Sequence, residues 1–404
     1  MFIWPLGLVF MQFCLFRIDN FEFSIGTTVC LIVVIYLTAN LRINSLKMMH
    51  LSIALLCFFF IYTLILCSFA EDLTEFLKSF IQICNLLLLL ILCCQIQLPN
   101  LKLIERSVSI FLILCMTVAL LVVAQFVFLN VFDSYAIMKI YGPFSPMGPG
   151  YLIYEPHPLS LIRRPNGVFS EPSVAGWFLA FGASVAVASP IWQKKNRYFS
   201  AIICGIGAIS TLSISAIINI AAISIVSLWI KSKRAKRIYL YLHVGLVLVV
   251  FFFLGWITVT ANITSRFGNF FVESTSSYYR LNAPLTLLSE SLRDFPFGQP
   301  LGQVNYILSK PYMINWEYGS FVNIDNSFFM VSYYFGILGI IIFLIVVIIT
   351  AQYFLKRSSA VLILVALLLA LAETGALWSP NLVLLIGYSI LLIRFIRTRE
   401  QQFV

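Results

Sequence analysis

The 404-residue chain is 61% hydrophobic and only 10% charged, with a mean hydropathy of +0.98, a balance that no water-soluble domain needs to fill its core. It reads as an all-α polytopic membrane protein. The net charge of +10 comes from basic residues scattered through short inter-helix loops, so orientation in a membrane explains it better than nucleic-acid binding.

In chain order, the first sixteen residues, "MFIWPLGLVFMQFCLF", lack a charged leader and a small-residue cleavage site, and are expected to form the first membrane helix and not a cleaved signal peptide. A span needs ~20 apolar residues, and runs near 23–40, 51–70, 79–98, 108–130, 172–191, 238–260, 327–350, 359–377 and 380–395 are further candidates. The run 199–230 is too long for one simple span, at roughly 48 Å if straight. Its flanks, "QKKNR" and "KSKRAKR", are both basic and both belong in the cytoplasm by the positive-inside rule. The run is therefore expected to fold back as two short helices of about 15 residues, each reaching roughly 23 Å, with a reversal near "STLSIS" below the outer surface. A single long tilted helix is the alternative.

With that hairpin there are about twelve helices and both termini are cytoplasmic. The cytoplasmic segments then hold most of the 26 Lys and Arg but only Glu105 and Glu400 of the 16 acidic residues, as the positive-inside rule asks. The chain divides into five N-terminal helices over 1–130, a first outward loop at 131–171, helices with the hairpin over 172–260, a large outward loop at 261–326, and three C-terminal helices over 327–404. The nine cysteines lie in apolar runs without metal-ligand spacing, so no disulfide framework or metal site is implied.

The two long outward loops carry the candidate chemistry. The first, rich in Pro and Gly, ends in "LIRRPNGVFSEPS". Pro172 suits the first position of the next helix with Glu171 at its N-cap. The positive end of that helix attracts a carboxylate or a phosphate. Arg163 and Arg164 can fold back to it across the "PNG" turn, or contact lipid headgroups. His157, in "EPHPL", is open between a structural and a ligand-facing role.

In the second loop, Leu281, Leu285, Leu288 and Leu292 fall on one face at helical spacing, predicting a short amphipathic helix on the membrane surface with Pro284 near its start. Arg280 precedes it and suits bidentate pairing with a pyrophosphate. Tyr278 and Tyr279 suit either sugar faces or interface anchoring. The loop closes on Asn323, Asp325 and Asn326. Asp325 is either a helix cap or a carboxylate able to take a proton from a sugar hydroxyl. Glu373, in "LAETGALWS", is costly at membrane depth and either functional or reaching the interface.

Three stretches in this order, "RRPNGVFSEPSVAGW", "SSYYRLNAPL" followed by "FPFGQPLG", and "IDNSFFMVSYYFGILG", resemble the Wzy-type polymerases of O-antigen, capsule and exopolysaccharide, in the superfamily shared with O-antigen ligases. The "SSYYR" and "IDN" forms are especially similar to colanic-acid-type polymerases. The resemblance covers the second half of the chain. It implies a glycosyltransferase C-type-like fold in the bacterial inner membrane, with the site facing the periplasm. A glycan would pass from an undecaprenyl-pyrophosphate-linked donor to a sugar hydroxyl of another lipid-linked repeat, without a nucleotide sugar, a metal or another cofactor. Membrane lipids and a polysaccharide chain-length regulator are the further partners implied. By motif position Arg164 and Arg280 are the pyrophosphate ligands, with Arg163 and Arg266 beside them. Asp325 stands where many ligases carry a catalytic histidine and is the first-choice base, with Glu171 second. Asn166, Tyr278, Tyr279, Asn326 and His157 are the glycan-facing candidates. The membrane arginine that some ligases carry near the hairpin is absent, since "LSISAI" is uncharged. An O-antigen ligase, with the lipid A core as acceptor, and a lipid-linked glycan flippase or other transporter are the alternatives. Two long loops on one face and the lack of an internal repeat weigh against transport.

Overall fold

The computed structural model describes residues 3–10, 13–18, 21–39, 46–95, 101–134, 164–169, 171–191, 194–231, 283–303, 314–315, 320–321, 326–373 and 380–402. The opening segment departs from the expected membrane helix. Helix α1 covers only Ile3–Val9, roughly 10 Å of rise, and is followed by strands β1 (Cys14–Ile18) and β2 (Phe21–Ser24) in an antiparallel pair. Both "CLFRI" and "FEFS" carry strand-forming Phe, and the second alternates apolar with polar residues. Arg17 and Glu22 are register partners in that pair.

Helices α2 (Ile25–Ala39), α3 (Leu46–Cys67), α4 (Leu73–Gln95) and α5 (Leu101–Asn130) follow. Then come α6 (Pro172–Ala188), α7 (Lys194–Ser210) and α8 (Ile214–Lys231). The long apolar run is thus two helices, and Gly205 of α7 faces Ile220 of α8, as in a hairpin centred on residues 211–213. The run 238–260 lies outside the described residues. Helix α9 (Ala283–Asp294) and a two-residue strand pair, β3 (Ile314–Asn315) with β4 (Ser320–Phe321), precede α10 (Ser327–Phe335), α11 (Ile337–Leu355), α12 (Ala360–Ala372) and α13 (Pro380–Gln402). Helices dominate, and the two small strand pairs are additions that the all-α reading did not contain.

The main core is built around α5 and α6. All of α6 except Val174 and Val187 is buried. Phe111 of α5 sits within 5.8 and 5.9 Å of the Phe178 and Phe181 rings and 5.4 Å of Tyr388. Small residues let the backbones close: a side chain on Gly207 would meet Ala119 at 2.6 Å, and one on Gly182 would meet Cys115 at 2.9 Å. Such close approach is how helices associate when lipid removes the hydrophobic incentive to pack. Trp4 is fully buried and donates its Nε1–H to Leu384 O at 3.0 Å, joining α1 to α13.

The run 327–350, expected as one span, is broken at Gly336, which separates α10 from α11 at φ 56°. The "FPFGQPLG" stretch causes the break. Ile337 N donates to Pro296 O at 3.0 Å, and Gln299 N donates to Tyr333 O at 3.0 Å. Any side chain on Gly336 or Gly298 would collide with this backbone. The stretch also reaches the α3–α4 turn: Gln303 donates Nε2–H to Asp72 O at 2.8 Å and accepts from Asp72 N at 3.3 Å. Tyr62 donates its hydroxyl to Phe297 O. Residues 295–303 are thus a clasp between the two halves of the chain. Phe76, Ile83, Ala283, Leu287, Leu301, Phe329, Tyr333 and Tyr334 form a second core beneath it.

The amphipathic helix exists but turns a different face inward. Ala283, Pro284, Leu287 and Ser291 are buried, whereas Leu285 is 66% exposed. Among the described residues, three helices, Leu73–Gln95, Leu101–Asn130 and Ile337–Leu355, are long and apolar enough to cross a membrane. Helix α11 is fully buried only at Gly339 and exposes Ile341, Ile342, Leu344, Ile345 and Ile348, a surface suited to lipid and not to water.

At one end of the bundle, Arg399 of α13 pairs with Glu105 of α5. Glu400 accepts from Ser358 Oγ at 2.7 Å and Ser359 N at 2.8 Å, capping the start of α12. The two acidic residues that the charge pattern assigns to the cytoplasm are thus used to tie helix ends together.

Candidate active site

The site begins with the turn ahead of α6. Gln125, fully buried in α5, accepts from Gly167 N at 2.8 Å and donates to Gly167 O at 3.2 Å. Gly167 has φ 64°, and a side chain there would meet Val122 at 2.8 Å, so only glycine fits. Asn166 donates Nδ2–H to Phe169 O at 2.7 Å and is 1% exposed. Phe169 in turn lies 4.9 Å from the Phe178 ring. These bonds pin "RPNGVF" to α5 and α6 and fix where Arg164 can reach. Asn166 shapes this turn with the amide that the sequence reading offered to a glycan.

Arg164 is half-buried and donates its Nε–H to Thr211 O at 3.3 Å. Thr211 opens the reversal between α7 and α8, and the reversal satisfies its own backbone. Thr211 Oγ1 donates to Ala208 O at 2.7 Å and accepts from Ser213 N at 3.3 Å, while Leu212 N donates to Ile209 O at 2.9 Å. Backbone that turns within an apolar bundle needs such partners. Leu212 takes φ 52°, a left-handed conformation that strains a leucine. The reversal packs on the first turns of α6, where Gly176 faces Thr211, Ser213 and Ala216 with no room for a side chain.

Glu171 is the N-cap of α6 and Pro172 its first residue, as the sequence implies. Glu171 makes no capping side-chain bond. Its carboxylate accepts instead from Ser173 Oγ at 3.0 Å. The structure therefore brings together Arg164, the amino end of α6 and the polar turn 211–213, an arrangement suited to a phosphate group.

At the other candidate, the cap of α10 is Asn326, whose side chain accepts from Phe329 N at 3.0 Å. Asp325, Arg163, Arg266, Arg280, Tyr278, Tyr279 and His157 lie outside the described residues.

Sequence reasoning missed Gln125 and Asn219. Each is a polar residue inside an apolar helix, which was the available signal. Asn219 of α8 is 1% exposed and donates Nδ2–H to Glu373 Oε1 at 3.4 Å. Among the described residues, the buried Trp177 Nε1 and Asn219 Oδ1 have no hydrogen-bond partner.

No curated protein and no solved structure matches this sequence. The family model described as WcaD colanic acid polymerase matches residues 1–395. That match spans nearly the whole length, including the turn at Arg164, the clasp and the final helices, and the chain belongs to the WcaD colanic acid polymerase family.

Proposed function

We propose that the protein is a polysaccharide polymerase that transfers a growing glycan from an undecaprenyl-pyrophosphate-linked donor to a sugar hydroxyl of a second lipid-linked repeat, on the periplasmic face of the inner membrane. Family membership supports polymerisation. The observation that carries the site is the half-buried Arg164 held at Thr211 beside the amino end of α6. In this reading the lipid tails stay in the bilayer while the sugars meet at the outward loops.

Pyrophosphate is already a good leaving group. The protein therefore needs mainly to neutralise the charge that develops on it and to take the acceptor proton. The acceptor oxygen attacks the anomeric carbon as the bond to the pyrophosphate oxygen breaks. The electron pair leaves with the pyrophosphate lipid, the hydroxyl proton passes to a carboxylate, and the anomeric configuration inverts. Arg164 and Arg280 stabilise the leaving group, with Arg163 and Arg266 adding positive potential. Asp325 is the first-choice base, since helix capping at this point is the work of Asn326. Glu171 is the second choice. Tyr278, Tyr279 and His157 contact the glycan, while Asn166 and Asn326 support it through the turns they hold.

A deletion strain tests the reading. Loss of the polymerase leaves glycans of a single repeat, whereas unflipped lipid-linked repeat accumulating on the cytoplasmic side would sink it. Complementation by an Asp325→Asn, Glu171→Gln double variant should fail to restore the polymer.

A further inference from the structure

We propose that a cavity between the last turns of α11 and α13 binds the phosphate headgroup of an anionic phospholipid, whose acyl chains lie along α11. The inference does not depend on the polymerase reading. The cavity measures about 590 Å³ and is lined by Gln352 and Lys356 near the end of α11 and by Arg397 and Gln401 of α13, a size that admits a small phosphodiester. It lies at the end of the bundle that the charge pattern assigns to the cytoplasm, where Glu400 caps the start of α12.

The first observation is charge. Lys356 and Arg397 line the cavity and are both exposed. Arg397 donates to the Tyr353 hydroxyl at 3.3 Å, with its guanidinium carbon 5.8 Å from the centre of that ring. This contact holds the planar fork at the cavity wall, and a guanidinium has five N–H donors to share with a phosphate. Glu400 is the one carboxylate of the lining. Both its oxygens already accept, from Ser358 Oγ at 2.7 Å and Ser359 N at 2.8 Å. Two cations against one occupied carboxylate leave the cavity positive. Lys356, as the C-cap of α11, also complements the negative end of that helix, but this role does not account for Arg397 at the same cavity.

The second observation is the surface that leads into the cavity. Ile345, Ile349, Gln352 and Lys356 fall at helical spacing on one face of α11. Ile345 and Ile349 are 50% and 41% exposed, and Ile349 also lines the cavity. The face is therefore apolar along the helix and polar where the helix ends, the same order as acyl chain and headgroup in a leaflet. A soluble phosphate uses only the polar end, whereas a lipid uses both. Basic pockets between membrane helices recognise anionic headgroups by this combination.

The test titrates the full chain, purified in detergent, with dioleoylphosphatidylglycerol, dioleoylphosphatidylcholine and acyl-free glycerol phosphate, and reads binding by native mass spectrometry. Wild type should bind phosphatidylglycerol more tightly than phosphatidylcholine. Lys356→Gln and Arg397→Gln should each weaken phosphatidylglycerol binding by about fivefold, and the double variant by about thirtyfold. Lys356→Arg, which keeps the charge, should bind as wild type does. Should the Arg397 variant unfold on losing Tyr353, the comparison of Lys356→Gln with Lys356→Arg decides. Equal binding of the two lipids by wild type, or undiminished phosphatidylglycerol binding by Lys356→Gln, overturns the site. Glycerol phosphate bound as tightly as phosphatidylglycerol would overturn the lipid as its occupant. Elongation is not the readout, so failure here leaves the polymerase reading standing.

Discussion

The guanidinium of Arg164 donates to the carbonyl of Thr211 at 3.3 Å, across 47 residues of sequence. It fastens the loop ahead of α6 to the reversal between α7 and α8. Thr211 also packs against Gly176 in the first turns of α6. One residue thus links an anion-attracting helix end to the polar turn in the bundle.

If that guanidinium neutralises a leaving pyrophosphate, Arg164→Ala should slow repeat elongation by about a hundredfold, as when one preorganised donor is lost. Arg164→Lys keeps the charge but loses the planar fork, and should recover only part of the rate. Elongation rates of the purified variants check this. A wild-type rate in Arg164→Ala would remove the residue from the site.

Gln125 and Gly167 hold the turn that presents Arg164. Gln125→Leu gives up two hydrogen bonds and should lower stability by about 2 kcal/mol. Gly167→Ala combines strain at φ 64° with contact on Val122 and should cost about 1–3 kcal/mol. Thermal unfolding in detergent measures both, and elongation should fall in parallel because Arg164 loses its support.

Capping and chemistry separate at adjacent residues. Asn326→Ala removes the bond to Phe329 N and should destabilise by about 1 kcal/mol. Asp325→Asn should leave the unfolding temperature unchanged and stop elongation. An equal loss of stability in both variants would contradict this division of roles.

Close packing of α5 on α7 gives a further expectation. Gly207→Leu would force a side chain into Ala119 and should destabilise by about 1–3 kcal/mol. Gly205, where a side chain would meet Ile220 at 4.0 Å, an ordinary van der Waals contact, should tolerate alanine with little change in unfolding temperature.

Several of these features were legible in the sequence. The two-helix reading of 199–230 came from its length and its basic flanks, and α7 and α8 part at Thr211–Ser213. Glu171 and Pro172 announced the start of α6 by residue type. Other features were set by tertiary contact. Gly336 breaks an apolar run because Pro296 O and Gln299 N, some 40 residues earlier in the chain, bond to the backbone on either side of it. The buried face of α9 centres on Leu287 and not on Leu285 and Leu288. In lipid an apolar side chain can point either way, so the leucine period could not tell inside from outside. The first segment misled for a related reason: "CLFRI" is apolar enough for a membrane helix, yet it pairs as a strand with the alternating "FEFS".

Polymerisation of lipid-linked repeats is tested by reconstituting the full chain in liposomes with that substrate and reading glycan length on a gel. Wild type should give a ladder of increasing length with release of undecaprenyl pyrophosphate, and Arg164→Ala a ladder that grows about a hundredfold more slowly. Repeats that remain single in the presence of folded wild-type protein would contradict it.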